Sequence, residues 1–231
     1  MPEVAAAEPV FEQRDEYGNF EATLRFLDEA GPLPAGARVL EIGSGKGRMI
    51  DHLIRHGYRA HGVENSVERI AESKRLYGPL PIELVSGSAL PFADASFDVV
   101  LSFDTFEHIP DSDAHLREVK RVLVPGGQYL LQTPNKWTNS VFETIRWRSF
   151  TAWRADHCAL HSYRGLITRF AKNGFATTFY PIPVVTTFFR WKVRRYLGTF
   201  GLALLKIVNP DRLPDPLRTN FYVKASLPAP R

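Results

Sequence analysis

Val39-Leu40-Glu41-Ile42-Gly43-Ser44-Gly45-Lys46-Gly47 is an apolar run that breaks into three glycines at alternate positions. Residues 38–42 form a buried strand, and Met49, Ile50, Leu53 and Ile54 then return at helical spacing until Gly57. Strand, glycine turn and helix in that order make a cradle. Glycine lets a ligand approach the backbone closely, and the helix N-terminus offers free N–H groups to an anionic or polar group. The dinucleotide fingerprint is G-x-G-x-x-G, whereas here an acid, Glu41, stands two residues before Gly43. The spacing therefore leans away from a nicotinamide dinucleotide.

The alternation extends in both directions. A helix over residues 20–30 is stopped by Gly31-Pro32; a strand at 60–64, a helix at 67–77 and a short strand at 82–85 follow the glycine turn. Then come a strand at 97–102, a helix at 111–123 and a strand at 127–132, set off by Pro125-Gly126-Gly127. Repeated β-α-β calls for an α/β fold, a doubly wound, mostly parallel sheet with helices on both faces and ligands beyond the carboxyl ends of its strands. After Thr133-Pro134-Asn135 the rhythm breaks into an aromatic, arginine-rich stretch, 137–153, before a helix at 163–173 and a strand at 175–180. A second interruption, 181–216, precedes a last strand at 220–225. The expected organisation is one domain over 1–231 with a mobile N-terminus (1–17), a lid insertion (136–160) and a basic amphipathic insertion (182–216).

With 231 residues, 44% hydrophobic and 23% charged, the chain can bury a full core. One cysteine, Cys158, allows no internal disulfide, and the N-terminus lacks the pattern of a signal peptide, so cytoplasmic residence is the expectation. Residues 196–208, the longest apolar stretch, are interrupted by Gly198, Gly201 and Lys206, which argues against a membrane span. The net charge of +4 hides an asymmetry: residues 1–135 hold 13 Lys and Arg against 21 Asp and Glu, residues 136–231 hold 16 against 4. A basic half attracts anionic partners without choosing among them.

Glu64 closes the second strand, 17 residues after Gly47, where an acid can accept both hydroxyls of a ribose. With Gly62-Val63-Glu64, Leu90-Pro91-Phe92, Phe97-Asp98-Val99-Val100, Glu107-His108-Ile109 and Arg121-Val122-Leu123-Val124-Pro125-Gly126-Gly127, the chain from Val39 to about Phe175 resembles class I S-adenosylmethionine-dependent methyltransferases of small-molecule type. Thr133-Pro134-Asn135 is similar to the same segment in enzymes related to quinone pathways. The resemblance implies a Rossmann-like seven-stranded sheet with an antiparallel last strand and lid insertions after strands 5 and 6. It also implies S-adenosyl-L-methionine as cofactor and methyl transfer to a small molecule, apolar or anionic. Glu41, Gly43 and Gly45 would then line the methionine part, Glu64 would hold the ribose, and Asn65 or Ser66 would lie near the adenine, with Ser44, Gly47, Ser102 and Phe103 also at the cofactor. Where the family usually has an acid after the third strand this chain has Gly87-Ser88-Ala89, so Ser88 and the Ala89 backbone are the expected adenine contacts, and a neutral acceptor is the weaker one.

Methyl transfer from a sulfonium is an in-line displacement that needs alignment and exclusion of water more than covalent machinery. A hydroxyl acceptor also needs a base, and histidine matches that task near neutral pH. His108 and Asp104, just past the fourth strand, are the nearest candidates; His161 and His157 can approach from the lid side, with Ser162 as N-cap of the next helix. One cysteine with scattered histidines lacks zinc-like spacing, so no metal is expected. Asn135, Trp137, Arg146 and Trp147 are the candidate substrate contacts, as aromatics that exclude water beside a cation for carboxylate or phosphate. Residues 188–208 place Phe189, Val193, Tyr196, Phe200 and Leu204 at three-to-four-residue steps beside Arg190, Lys192, Arg194 and Arg195. That pattern suits peripheral contact with an anionic membrane, and equally a helix packed on the core or in a homo-oligomer. An RNA methyltransferase has weaker support, since neither an RNA-binding module nor a stacking platform is evident. A non-catalytic partner protein on the cofactor fold is the third reading, and retention of the glycine turn and Glu64 argues against it.

Overall fold

The computed structural model describes residues 20–85, 89–155 and 157–228. Helix α1 (Phe20–Glu29) leads into strand β1 (Arg38–Ile42), helix α2 (Arg48–Arg55), β2 (Arg59–Glu64), α3 (Val67–Tyr77), β3 (Ile82–Leu84) and β4 (Phe97–Phe103). Helix α4 (Ser112–Val122), β5 (Leu123–Pro134), α5 (Lys136–Trp147), α6 (Tyr163–Lys172), β6 (Ala176–Tyr180), α7 (Thr187–Ile207) and β7 (Asn220–Ser226) complete the chain. The strands form one sheet in the order β3-β2-β1-β4-β5-β7-β6, with β7 antiparallel to both its neighbours and the other pairs parallel. The direction of winding reverses between β1 and β4, so a crevice opens where the ends of those strands splay apart.

Strand alternation builds two cores. Val100, Leu131 and Val223 face Leu116, Val119, Leu166 and Phe170 of α4 and α6. Their neighbours Val99, Leu101, Leu130 and Tyr222 face Phe26, Met49, Ile50 and Leu53 of α1 and α2. A sheet covered on both faces explains why β4 reads as an almost unbroken apolar run. Side-chain caps set the helix starts: Ser66 accepts from the Arg69 N–H, Asp111 from Ala114 and Ser162 from Gly165, each satisfying an N–H that the helix leaves open.

Two motifs that stood apart in the sequence meet here. Arg121 donates to the carbonyls of Leu90 and Phe92 and pairs with Asp94 and Glu118. The Arg121 guanidinium and the Leu90 N–H, both donating to the Glu118 carboxylate, hold it down to about 2. Strand β5 also begins earlier than its glycines suggest. Leu123 pairs with Phe97, the register then shifts, and Val99 pairs with Gln128, with Gly126 at φ +79 in the bulge.

The two interruptions are helical. Residues 137–147 belong to α5, capped by Asn135, and residues 187–207 form α7, which breaks at Gly198 (φ 62, ψ −156). They follow β5 and β6 and approach each other through the Phe142–Tyr196 ring contact at 5.8 Å. Among the described residues no helix is long and apolar enough to cross a membrane.

Candidate active site

A cavity of about 1070 Å³ lies beyond the carboxyl ends of β1, β2, β4 and β5. Gly43 and Gly45, Glu64 and Asn65, Phe103 to Thr105, and Gln132 form its inner wall, together with Asn220 and Tyr222 from the start of the antiparallel β7. Asn139, Phe142 and Arg146 of α5 cover it, with Phe188, Lys192 and Val193 of α7 and His157 from the turn after α5.

The glycine turn is pinned to β2. The N–H groups of Gly43 and Ser44 both donate to the Val63 carbonyl, at 2.9 and 3.0 Å. Gly43, Gly45 and Gly47 all have positive φ. A Cβ on Gly43 would lie 2.7 Å from Thr105 Cγ2, and one on Gly62 would lie 2.7 Å from Ser44 Oγ. Both positions therefore require glycine, the first for its backbone angle and its space, the second for space alone. Glu64 is 2% exposed and accepts from the N–H groups of Gly45 (2.8 Å), Asn65 (3.0 Å) and Ser66 (3.1 Å), so its carboxylate ties the turn to the end of β2. Arg69 lies 3.8 Å away. A buried carboxylate beside a glycine backbone, with Val63, Val85 and Phe103 near it, suits a ligand with a hydroxylated ribose and an apolar base. The residues present fit S-adenosylmethionine.

Other expected cofactor contacts lie behind this surface. Ser44 and Ser102 are completely buried. Glu41 is too, two residues before Gly43 near the end of β1, and its Oε2 receives no hydrogen bond from the described residues. Gly47 caps α2 and packs toward Ser73, Leu80 and Ile82. Ala89 is exposed away from the cavity wall, and Ser88 lies outside the described residues.

Beside the glycine turn on the inner wall, Asp104 adopts φ +47, an uncommon angle for a residue with a side chain, with its N–H held by Gln132 Oε1 at 2.9 Å. Glu107 is buried, and Thr133 Oγ1 donates to its Oε2 at 3.2 Å. The rings of His108 and His157 stand 5.0 Å apart, and Asn139 Nδ2 lies 2.8 Å from His157 Nδ1. Ligand-type atoms of Glu107, His108 and His157 come within 4.8 Å of one another, a grouping that sequence spacing does not reveal. Such a trio can hold and move a proton, with Asn139 fixing one ring. His161, expected as a third candidate, instead bonds Ser112 at 3.2 Å and packs on Phe106, and burial pushes its imidazole down to about 4.

Arg146 reaches the cavity while pairing with Glu143, but Trp137 and Trp147 turn outward. Asn135 does structural work: its Nδ2 donates to the carbonyls of Pro216 and Arg218, and its Oδ1 accepts from the Trp137 N–H. Lys192, Phe188 and Tyr222 line the cavity and were not among the expected contacts, whereas Phe142 belongs to the aromatic stretch expected to cover the site. Phe188 and Lys192 sit four residues apart on one helical face, a signal the sequence did contain.

A methyltransferase-domain family model matches residues 11–178. The chain is 37% identical over 106 residues to a probable S-adenosylmethionine-dependent methyltransferase of Mycolicibacterium smegmatis, covering 46% of this chain and 41% of that one. It is 34% identical over 122 residues to the fatty-acid O-methyltransferase of the same organism, covering 51% and 44%. The chain thus matches less than half the length of these relatives. An S-adenosylmethionine-dependent methyltransferase from Mesorhizobium loti has the same fold, with a TM-score of 0.64 at 16% identity over 89% of this chain and 97% of that one. Glycine turn, ribose-type carboxylate, strand order and family match agree: the chain belongs to the class I S-adenosylmethionine-dependent methyltransferases.

Proposed function

We propose that this protein methylates a hydroxyl group on a small, largely apolar acceptor. The observation that carries this is the Glu107–His108–His157 group, which lines the same cavity as Gly43, Gly45 and Glu64. Bound S-adenosylmethionine would supply an electrophilic methyl group on a sulfonium. Gly43, Gly45 and Glu64 hold the donor; Phe142, Phe188 and Val193 exclude water and seat the apolar body of the acceptor. His108 takes the hydroxyl proton on a ring nitrogen as the oxygen attacks, with His157 and Glu107 orienting it and stabilising its cation. The fatty-acid O-methyltransferase relative supports an oxygen acceptor on an apolar chain. In single turnovers, His108→Ala should slow methyl transfer by roughly 100-fold or more while leaving S-adenosylhomocysteine affinity unchanged. An unchanged rate rejects His108 as base, and failure of folded protein to bind S-adenosylhomocysteine rejects the enzyme reading.

The outer faces of α5 and α7 support work at an anionic lipid surface. Phe200 is 76% and Ile207 83% exposed, beyond the basic run Arg194-Arg195. On α5, Trp137, Val141 and Ile145 are also exposed and four residues apart. Apolar side chains next to cations favour the boundary between headgroups and acyl chains. The parent should sediment with vesicles containing phosphatidylserine at low salt, and Phe200→Ser/Ile207→Ser should weaken that by at least roughly tenfold. No sedimentation of the parent removes the membrane role.

A further inference from the structure

Lys192 is a cation inside the cavity wall with aromatic faces for neighbours. Its Nζ lies 5.3 Å from the ring centre of Phe142 and 5.6 Å from that of Phe188. None of the ion pairs among the described residues includes it; the acid on the facing helix, Glu143, is already taken by Arg146 at 3.3 Å and by the Trp147 indole N–H at 3.0 Å. Aromatic faces attract an ammonium but accept little of its hydrogen-bonding capacity, which leaves N–H donors directed to whatever fills the cavity. Acids are scarce along this part of the chain, where residues 136–207 hold 12 Lys and Arg and only Glu143 and Asp156 in return; the other carboxylates of the cavity, Glu64, Asp104, Glu107 and Asp111, come from the sheet side and none of the ion pairs among the described residues joins them to Lys192.

We propose that Lys192 is the docking point for an anionic group on the methyl acceptor, a carboxylate or a phosphate, which makes the acceptor an anionic amphiphile. The acceptor's apolar body lies between Phe142 and Phe188, and its hydroxyl extends to His108, which lines the same cavity. An anion here replaces water on an ammonium that has no ion pair among the described residues, and forms a charge-assisted hydrogen bond beside aromatic rings. A neutral molecule of the same length gains only the apolar contacts. This inference rests on the methyltransferase reading and adds to it the charge of the acceptor.

The test uses the full chain loaded with S-adenosylhomocysteine, titrated calorimetrically with 12-hydroxydodecanoate, 12-hydroxydodecyl phosphate and the neutral 1,12-dodecanediol below their aggregation limits. At least one anionic probe should bind roughly tenfold or more tightly than the diol, and the better of the two identifies the anion. Lys192→Gln should abolish that preference while diol affinity stays constant, Lys192→Arg should retain it, and Lys74→Gln, on the exposed side of α3, should change nothing. Equal affinity for the three probes in the parent, or a preference that survives Lys192→Gln, overturns the proposal. The loading step reads the methyltransferase assignment separately, because it depends on S-adenosylhomocysteine binding alone.

Discussion

Glu64→Gln keeps the shape of the side chain and removes its charge, which makes it the sharpest probe of the donor cradle. The carboxylate accepts one backbone N–H on Oε2, from Gly45, and two on Oε1, from Asn65 and Ser66. Glutamine has a single carbonyl oxygen. If that oxygen serves Asn65 and Ser66, the new NH₂ is turned onto the Gly45 N–H, and two donors face each other in a site that is 2% exposed. Losing one hydrogen bond to a charged acceptor costs about 1.5–3 kcal/mol. For a chain of this size each kcal/mol moves the melting temperature by about 2–4 °C, so melting should fall by roughly 3–12 °C. A ribose hydroxyl loses a charged acceptor as well, and the same energy corresponds to a roughly 10- to 150-fold weaker affinity. The assay is calorimetric titration of S-adenosylhomocysteine into both proteins at a temperature where both are folded, with thermal melts alongside. Affinity within about threefold of the parent would refute the assignment of Glu64 to the ribose. An unchanged melting temperature would refute its role as the tie between the turn and β2.

Gly43→Ala combines a left-handed backbone, worth roughly 1–2 kcal/mol against alanine, with a Cβ only 2.7 Å from Thr105 Cγ2; melting at the parent temperature would contradict the packing described for the turn. His161 is held down to about 4 by burial, so it stays neutral in the folded protein while the unfolded chain protonates below about pH 6.5. The stability it contributes is present above about pH 6.5 and is lost as the pH falls toward 4, at up to about 1.4 kcal/mol per unit. Denaturant melts between those limits should show this slope in the parent and a shallower one in His161→Asn; parallel profiles would dismiss the effect.

The regular half of this fold was legible because burial on both faces of a parallel sheet leaves short apolar runs, and helices between them repeat every three to four residues. The strand read at 97–102, observed at Phe97–Phe103, and the 67–77 helix follow directly from that. The glycine turn and the acid proposed to hold the donor were legible as positions for a related reason: Gly43 and Gly45 directly follow β1 and Glu64 ends the neighbouring β2. The acceptor side was harder. His157 and His108 are distant in sequence and meet only because the turn after α5 folds against Glu107, whose carbonyl accepts the Ala159 N–H at 2.8 Å. Asn135 illustrates the opposite error. Its place beside the crevice suggested a ligand contact, yet its amide is consumed by backbone groups near Pro216 and Arg218 that only the folded chain brings close.

The reversed direction of β7 also governs when the site can exist. Because this strand runs against β5, its early residues Asn220 and Tyr222 supply cavity wall, whereas the proposed donor cradle is built from residues near 43 and 64. During synthesis the chain emerges from its N-terminal side. The donor half can therefore assemble early on the ribosome, while the acceptor chamber stays open on one side until the final strand slots between β5 and β6.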